Sequence, residues 1–117
     1  MLRVGTIVLN VKDAQRAAQF WHQALGYAYQ DGAYHEDVTP VLLPQSAAAA
    51  VPVALDESDR THLDLHTDSA QEQQAEVERL VALGATRVPW TYPAGARFVV
   101  LADSEGNLFC VVDTSAE

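Results

Sequence analysis

Element order repeats within the chain, and that repeat limits the possible folds more than any single motif does. The stretch 3–11 alternates and is rich in Val, Ile and Leu, which reads as a strand with Ile7, Leu9 and Val11 on one face and Thr6, Val8 and Asn10 on the other. Asp13 then stands where a helix N-cap belongs. Ala14 to Leu25 carries apolar residues at three- and four-residue spacing (Ala17, Phe20, Trp21, Leu25), and Gly26 stops the helix. At Thr61 the pattern restarts. Thr61 to Thr67 reads as a strand, Asp68-Ser69 as a cap, and Gln71 to Leu83 as a helix whose apolar face is Ala75, Val77, Leu80, Val81 and Leu83, with Gly84 as its stop. Laid side by side without gaps, Thr6 to Asp13 falls on His62 to Ser69, and both helices close on Leu-Gly.

Each helix is followed by short apolar runs and turns rather than by another helix. After the first come Tyr27-Ala28-Tyr29, Pro40-Val41-Leu42-Leu43 and Val51 to Leu55, with Asp31-Gly32 a hairpin signal. Ala47 to Ala50, lying between Pro44 and Pro52, is too short for a stable helix and reads as a loop or strand edge. After the second come Thr86 to Tyr92, Arg97 to Ala102 and Asn107 to Asp113, separated by Pro93-Ala94-Gly95 and Asp103 to Asn107. The reading is α+β: one domain over 1–117, built of two βαβββ modules at 1–58 and 59–117. A chain of 117 residues is long enough to bury a core without disulfides.

Composition narrows the function. A net charge of −9 and only seven scattered basic residues exclude a nucleic-acid partner, since phosphate neutralisation by Lys and Arg supplies most of that affinity. No apolar run has the length of a membrane span, and no secretion signal opens the sequence. The single cysteine, Cys110, agrees with a reducing compartment, so a cytoplasmic location is expected. There is no Ser-His-Asp order, no phosphate-binding Gly-rich loop and no paired-Cys motif.

The chemistry-bearing stretch is Thr61-His62-Leu63-Asp64-Leu65-His66-Thr67. Strand alternation puts His62, Asp64 and His66 on one face and Leu63 and Leu65 beneath. Same-face neighbours stand roughly 6.5 to 7 Å apart along a strand, which argues against their closing together on one ion. Trp90, Tyr92, Tyr34 and Arg97 lie on or beside strands and turns, where they would line an aromatic small-molecule pocket. Phe20 and Trp21 read as core, and Cys110, between Phe109 and Val111, as a small space-filling residue. Glu72, Glu76, Glu78 and Arg79 read as the solvated side of the second helix, with Glu76 and Arg79 an i,i+3 pair.

The repeat, together with Phe20-Trp21 before Leu25-Gly26, His62-Leu63-Asp64-Leu65, Glu76 to Thr86 and Asp103 to Val112, resembles the vicinal oxygen chelate superfamily in its glyoxalase-like, bleomycin-resistance-related branch. The resemblance implies eight strands curled into a cup with the helices outside, a homodimer, and, in metal-dependent members, a divalent ion held by the first and last strands of each module. Carried over residue by residue, the first-strand ligands fall on Thr6 and His62, and the module-two last-strand ligand falls on Cys110. In module one only Asp56 could serve. Most of the usual set is replaced.

Two functional expectations follow. The first is a metal-independent small-molecule-binding protein, serving ligand sequestration or resistance, whose pocket uses His62, Asp64, His66, Trp90, Tyr92 and Arg97. No cofactor is called for in that case. The second is a metal-dependent lyase, isomerase or dioxygenase with Zn, Ni, Fe or Mn on a reduced ligand set centred on His62.

Overall fold

The computed structural model describes residues 2–45 and 50–115; of the Ala47 to Ala50 run, only Ala50 lies within them. The elements are β1 (Arg3–Asn10), α1 (Ala14–Leu25), β2 (Ala28–Tyr29), β3 (Val41–Leu43), β4 (Val53–Asp56), β5 (His62–Thr67), α2 (Ala70–Leu83), β6 (Thr86–Arg87), β7 (Phe98–Ala102) and β8 (Leu108–Asp113). The order is strand, helix and three strands, twice over, an α+β fold. By contact density the chain divides into Thr6–Thr61 and a second unit of His62–Glu117 with Met1–Gly5.

In the first unit, α1 starts where two carboxylates meet its unpaired amides. The Asp13 side chain accepts from Arg16 N at 3.0 Å and the Glu57 carboxylate from Ala14 N at 2.7 Å. It ends at Gly26, whose φ of 71° lies in the left-handed region that glycine enters at least cost. The strands lie in the order β2-β3-β4-β1, with β4 parallel to β1 (Ile7 opposite Val53, Asn10 opposite Asp56) and the other pairs antiparallel. Ala18, Leu42, Val53 and Leu55 form the core, with Leu9, Val11 and Trp21 packed against them.

Two apolar expectations for α1 fail: Leu25 is 44% exposed, and Phe20 more so. Phe20 is 62% exposed, because the inward face runs Ala14, Ala18, Trp21 and position 20 lies about 100° round the helix from 21. Phe20 instead meets Trp21 edge-on, ring centroids 5.1 Å apart. The Asp31-Gly32 turn does form, Gly32 N donating to Tyr29 O. The hairpin signal underestimates the connection all the same, since the next strand begins only at Val41.

The second unit repeats the scheme. Ser69 caps α2 by accepting from Glu72 N at 3.0 Å, and Gly84 closes it. The strands run β5-β8-β7-β6, with β5 parallel to β8 and β8 antiparallel to β7. Val77, Leu101 and Val111 are the core, packed by Leu80, Val81, Val99 and Phe109. The Glu76–Arg79 pair forms at 2.7 Å.

Three expectations are revised here. The strand expected over 86–92 shrinks to Thr86–Arg87, since Pro89 cannot donate to a ladder and disfavours helix or regular pairing around it. Leu83 and Leu63 are exposed (71% and 41%), so the underside of β5 is closed by Leu65 and the fully buried Thr67. The inward face of α2 contains a polar residue, Gln73, whose amide donates to Arg97 O (3.0 Å) and Val111 O (2.9 Å) across the sheet. Those bonds are what make an amide tolerable at that position. Among the described residues no helix is long and apolar enough to cross a membrane.

Candidate functional site

The register of the second unit builds a polar row on an otherwise apolar floor. Asp64 on β5 stands opposite Cys110 on β8, and Cys110 opposite Val100 on β7. One step along, His66 stands opposite Val112 and Val112 opposite Phe98. Laterally paired residues share a face, so His62, Asp64, His66 and Cys110 all project on the side of the sheet away from α2. The α2 side takes Leu65, Thr67, Val111 and Leu101.

His62, Asp64 and Cys110 converge. One donor atom from each lies within 4.8 Å of the other two, and all three residues are partly buried. His62 Nε2 meets Asp64 Oδ1 at 3.1 Å, with the imidazole side chain only 10% exposed. This corrects the spacing argument made from the sequence. Cα atoms two apart on a strand are separated by roughly 6.6 Å, but an imidazole and a carboxylate leaning toward each other span that gap. Cys110, read from the sequence as a space-filler, has its thiol delivered beside that pair by the parallel register.

The donor set suits a metal. One imidazole, one carboxylate and one thiol are ligand types that borderline-soft divalent ions accept, and three protein ligands with an open fourth position are the usual catalytic arrangement for zinc. Tetrahedral zinc would need donors roughly 3.4 to 3.8 Å apart, about 1 Å closer than the outer limit seen here, a rotamer-scale adjustment. Asp56, the module-one candidate, is used locally instead. Its Oδ1 accepts from Ser58 N, Ser58 Oγ and Asp59 N at 2.9 to 3.1 Å, fixing the turn after β4.

The other expected pocket residues divide. Tyr92 lies beside the polar face: its ring packs on Phe98 at 5.4 Å and its hydroxyl accepts from Val100 N at 2.8 Å, covering an edge amide of β7. Trp90 is in the same β6–β7 connection, 45% exposed. Arg97 is elsewhere. It pairs with Asp113 on the α2 side, its guanidinium 3.3 Å from Asp113 Oδ2 and also donating to the Ser115 carbonyl and hydroxyl. The Ser115 amide and hydroxyl, and after them Arg97, hold the Asp113 carboxyl below the usual range, which marks a clamp on the end of β8.

Tyr34, the remaining pocket candidate, lines a separate concavity. In the first unit a cavity of about 250 Å³ is lined by Tyr34, Glu36, Asp37, Thr39, Asp56 and Glu57 among others. Loss of hydration, then the charge of Glu57, pushes the Tyr34 hydroxyl up. The Asp56 and Glu57 carboxylates, however, are engaged with backbone amides of the turn and of α1. The converging donors of the second unit therefore carry more chemical information than this hollow. Of its lining, the sequence singles out Tyr34 as a pocket residue and Asp56 as a candidate ligand.

Comparison with known proteins then fixes the lineage. A family model described as a glyoxalase-like domain matches residues 6–112. The chain belongs to the glyoxalase-like domain family. No curated protein matches it significantly in sequence. Solved structures do share the fold of this glyoxalase-like domain. One described as an NAD-dependent benzaldehyde dehydrogenase from Legionella pneumophila superposes with a TM-score of 0.67 at 9% identity, over 96% of this chain and 98% of that one. The methylmalonyl-CoA epimerase of Mycobacterium tuberculosis gives 0.61 at 17% identity, covering 97% and 88%. A glyoxalase/bleomycin resistance protein/dioxygenase superfamily member from Vibrio splendidus 12B01 gives 0.60 at 16% identity, covering 97% and 99%.

Proposed function

We propose that this glyoxalase-like protein binds a small molecule on the polar face of its second module, with a divalent ion of the zinc type held by His62, Asp64 and Cys110 as the anchoring point. The observation that supports this is the convergence of three different donor side chains within 4.8 Å on a partly buried surface. Such an ion, when bound, supplies a Lewis acid that polarises an oxygen of the ligand. The side chains do the rest. Asp64 faces His62 Nε2 at 3.1 Å, Cys110 contributes a thiol that holds soft ions once deprotonated, and Phe98 and Tyr92 give the ligand an apolar wall that excludes water. Arg97 is left out of the pocket, being engaged with Asp113 and Ser115.

A second reading keeps the face and drops the ion. The 3.1 Å approach of His62 Nε2 to Asp64 Oδ1 favours it, because a preformed imidazole–carboxylate pair recognises polar ligands unaided and suits sequestration. Elemental analysis separates the two. Protein purified without chelator should carry close to one divalent ion per chain, and His62→Ala and Cys110→Ala should each weaken zinc binding roughly a hundredfold, about 3 kcal/mol, one ligand's share of a structural zinc site. Wild-type protein that neither retains zinc nor takes it up at micromolar concentration would sink the metal reading and leave the ion-free one.

A further inference from the structure

Two residues beyond Asp64 stands His66, a group that the three-donor cluster does not include. Its imidazole lies flat on the backbone of Gly5: a Cβ built at Gly5 would fall 2.3 Å from Cγ, Cδ2 and Cε1 of the ring. Gly5 has no left-handed φ to justify glycine, so the close approach of the ring is what excludes a larger residue at this position. Among the described residues the ring makes no hydrogen bond or ion pair, and no buried side-chain nitrogen or oxygen lacks a partner, so the nitrogens of this half-buried histidine remain open to solvent. A histidine pinned by its ring face, with its polar edge unused, is set up to meet something from outside.

The neighbours define what that something is. Beside His66 on the same face the register places Val112 and Phe98, and beside Asp64 it places Cys110 and Val100. A polar post therefore stands roughly 6.6 Å along β5 from the three-donor group, with an apolar floor alongside. We infer that His66 is a ligand-binding residue, held in place by Gly5, that hydrogen-bonds a second oxygen function of a small molecule whose first oxygen function sits at His62, Asp64 and Cys110. The ligand class is a small molecule with oxygen functions at two ends, such as a short dicarboxylate, and an apolar flank resting on the partly exposed Phe98 and Val112. This rests on the preceding reading of the three-donor group.

Malonate, with acetate as the one-ended control, tests it by calorimetry on zinc-loaded protein. His66→Leu is expected to weaken malonate about tenfold, the scale of one hydrogen bond to a charged group, while acetate and zinc affinities stay within twofold. His66→Gln, which keeps a side-chain donor, recovers most of the loss. The inference is overturned if zinc-loaded wild type ignores malonate, if His66→Leu binds malonate as wild type does, if acetate falls in parallel, or if zinc is lost with the imidazole. Wild-type protein that takes up no zinc removes the preceding reading together with this one, whereas retained zinc with malonate indifferent to position 66 removes this one alone.

Discussion

Gly5→Ala is the sharpest perturbation the structure offers, because its consequence is set by one close approach. The new methyl carbon would sit 2.3 Å from three atoms of the His66 ring, where ordinary contact begins near 3.4 Å, so the ring or the strand must shift by at least 1.1 Å. Forced overpacking of this kind costs about 1 to 3 kcal/mol. For 117 residues, an unfolding entropy of about 2.1 cal/mol/K per residue gives roughly 0.25 kcal/mol/K, so Tm should fall by about 4 to 12 °C. Thermal melts read by circular dichroism suffice, and a double-mutant cycle isolates the cause. In a His66→Ala background the same glycine substitution has no ring to strike and should cost less than about 0.5 kcal/mol, leaving a coupling of about 1 to 2.5 kcal/mol. If Gly5→Ala melts within 1 °C of wild type, or costs as much without the imidazole as with it, the reasoning that places His66 on Gly5 is wrong.

Two further predictions test the packing and the clamp on β8. Leu101, fully buried beside Val77 and Val111, should cost about 3 kcal/mol on truncation to Ala, whereas Leu83→Gln on the same module should stay within about 0.5 kcal/mol, both read by urea titration. The Asp113 carboxyl is held below its ordinary range by Ser115 and Arg97, so its folded pKa lies under the unfolded value near 3.9. Its stabilisation is fully present above that unfolded value and is lost as pH falls through the folded one. Asp113→Asn should therefore melt below wild type at pH 6, with the gap narrowing as the pH is lowered past 4; a gap that stays constant down to pH 2.5 would contradict the assignment.

The two helices were legible because their signals are local. Asp13 and Ser69 accept from amides three residues on, and Gly26 and Gly84 end each helix at positive φ, all within one turn of chain. Alternation likewise placed His62, Asp64 and His66 on one face. What misled were inferences that treated side chains as points on a lattice. Phe20 and Leu83 satisfied the apolar spacing and still face solvent, because spacing fixes an angle round a helix and says nothing of what lies opposite.

By itself, then, the sequence determined the α+β class, the doubled βαβββ order, the capped helices and the polar strand, since each depends on contacts a few residues apart. The site was decided by tertiary structure. Cys110 joins His62 and Asp64 only through the parallel register of β5 with β8, 46 positions along the chain from Asp64. Arg97 was withdrawn by the bonds to Asp113 and Ser115 at the end of β8. Gly5 gained its meaning from a ring 61 positions away. Such contacts depend on how strands align across the chain, and alignment is set by the packing of the whole module rather than by any stretch within it.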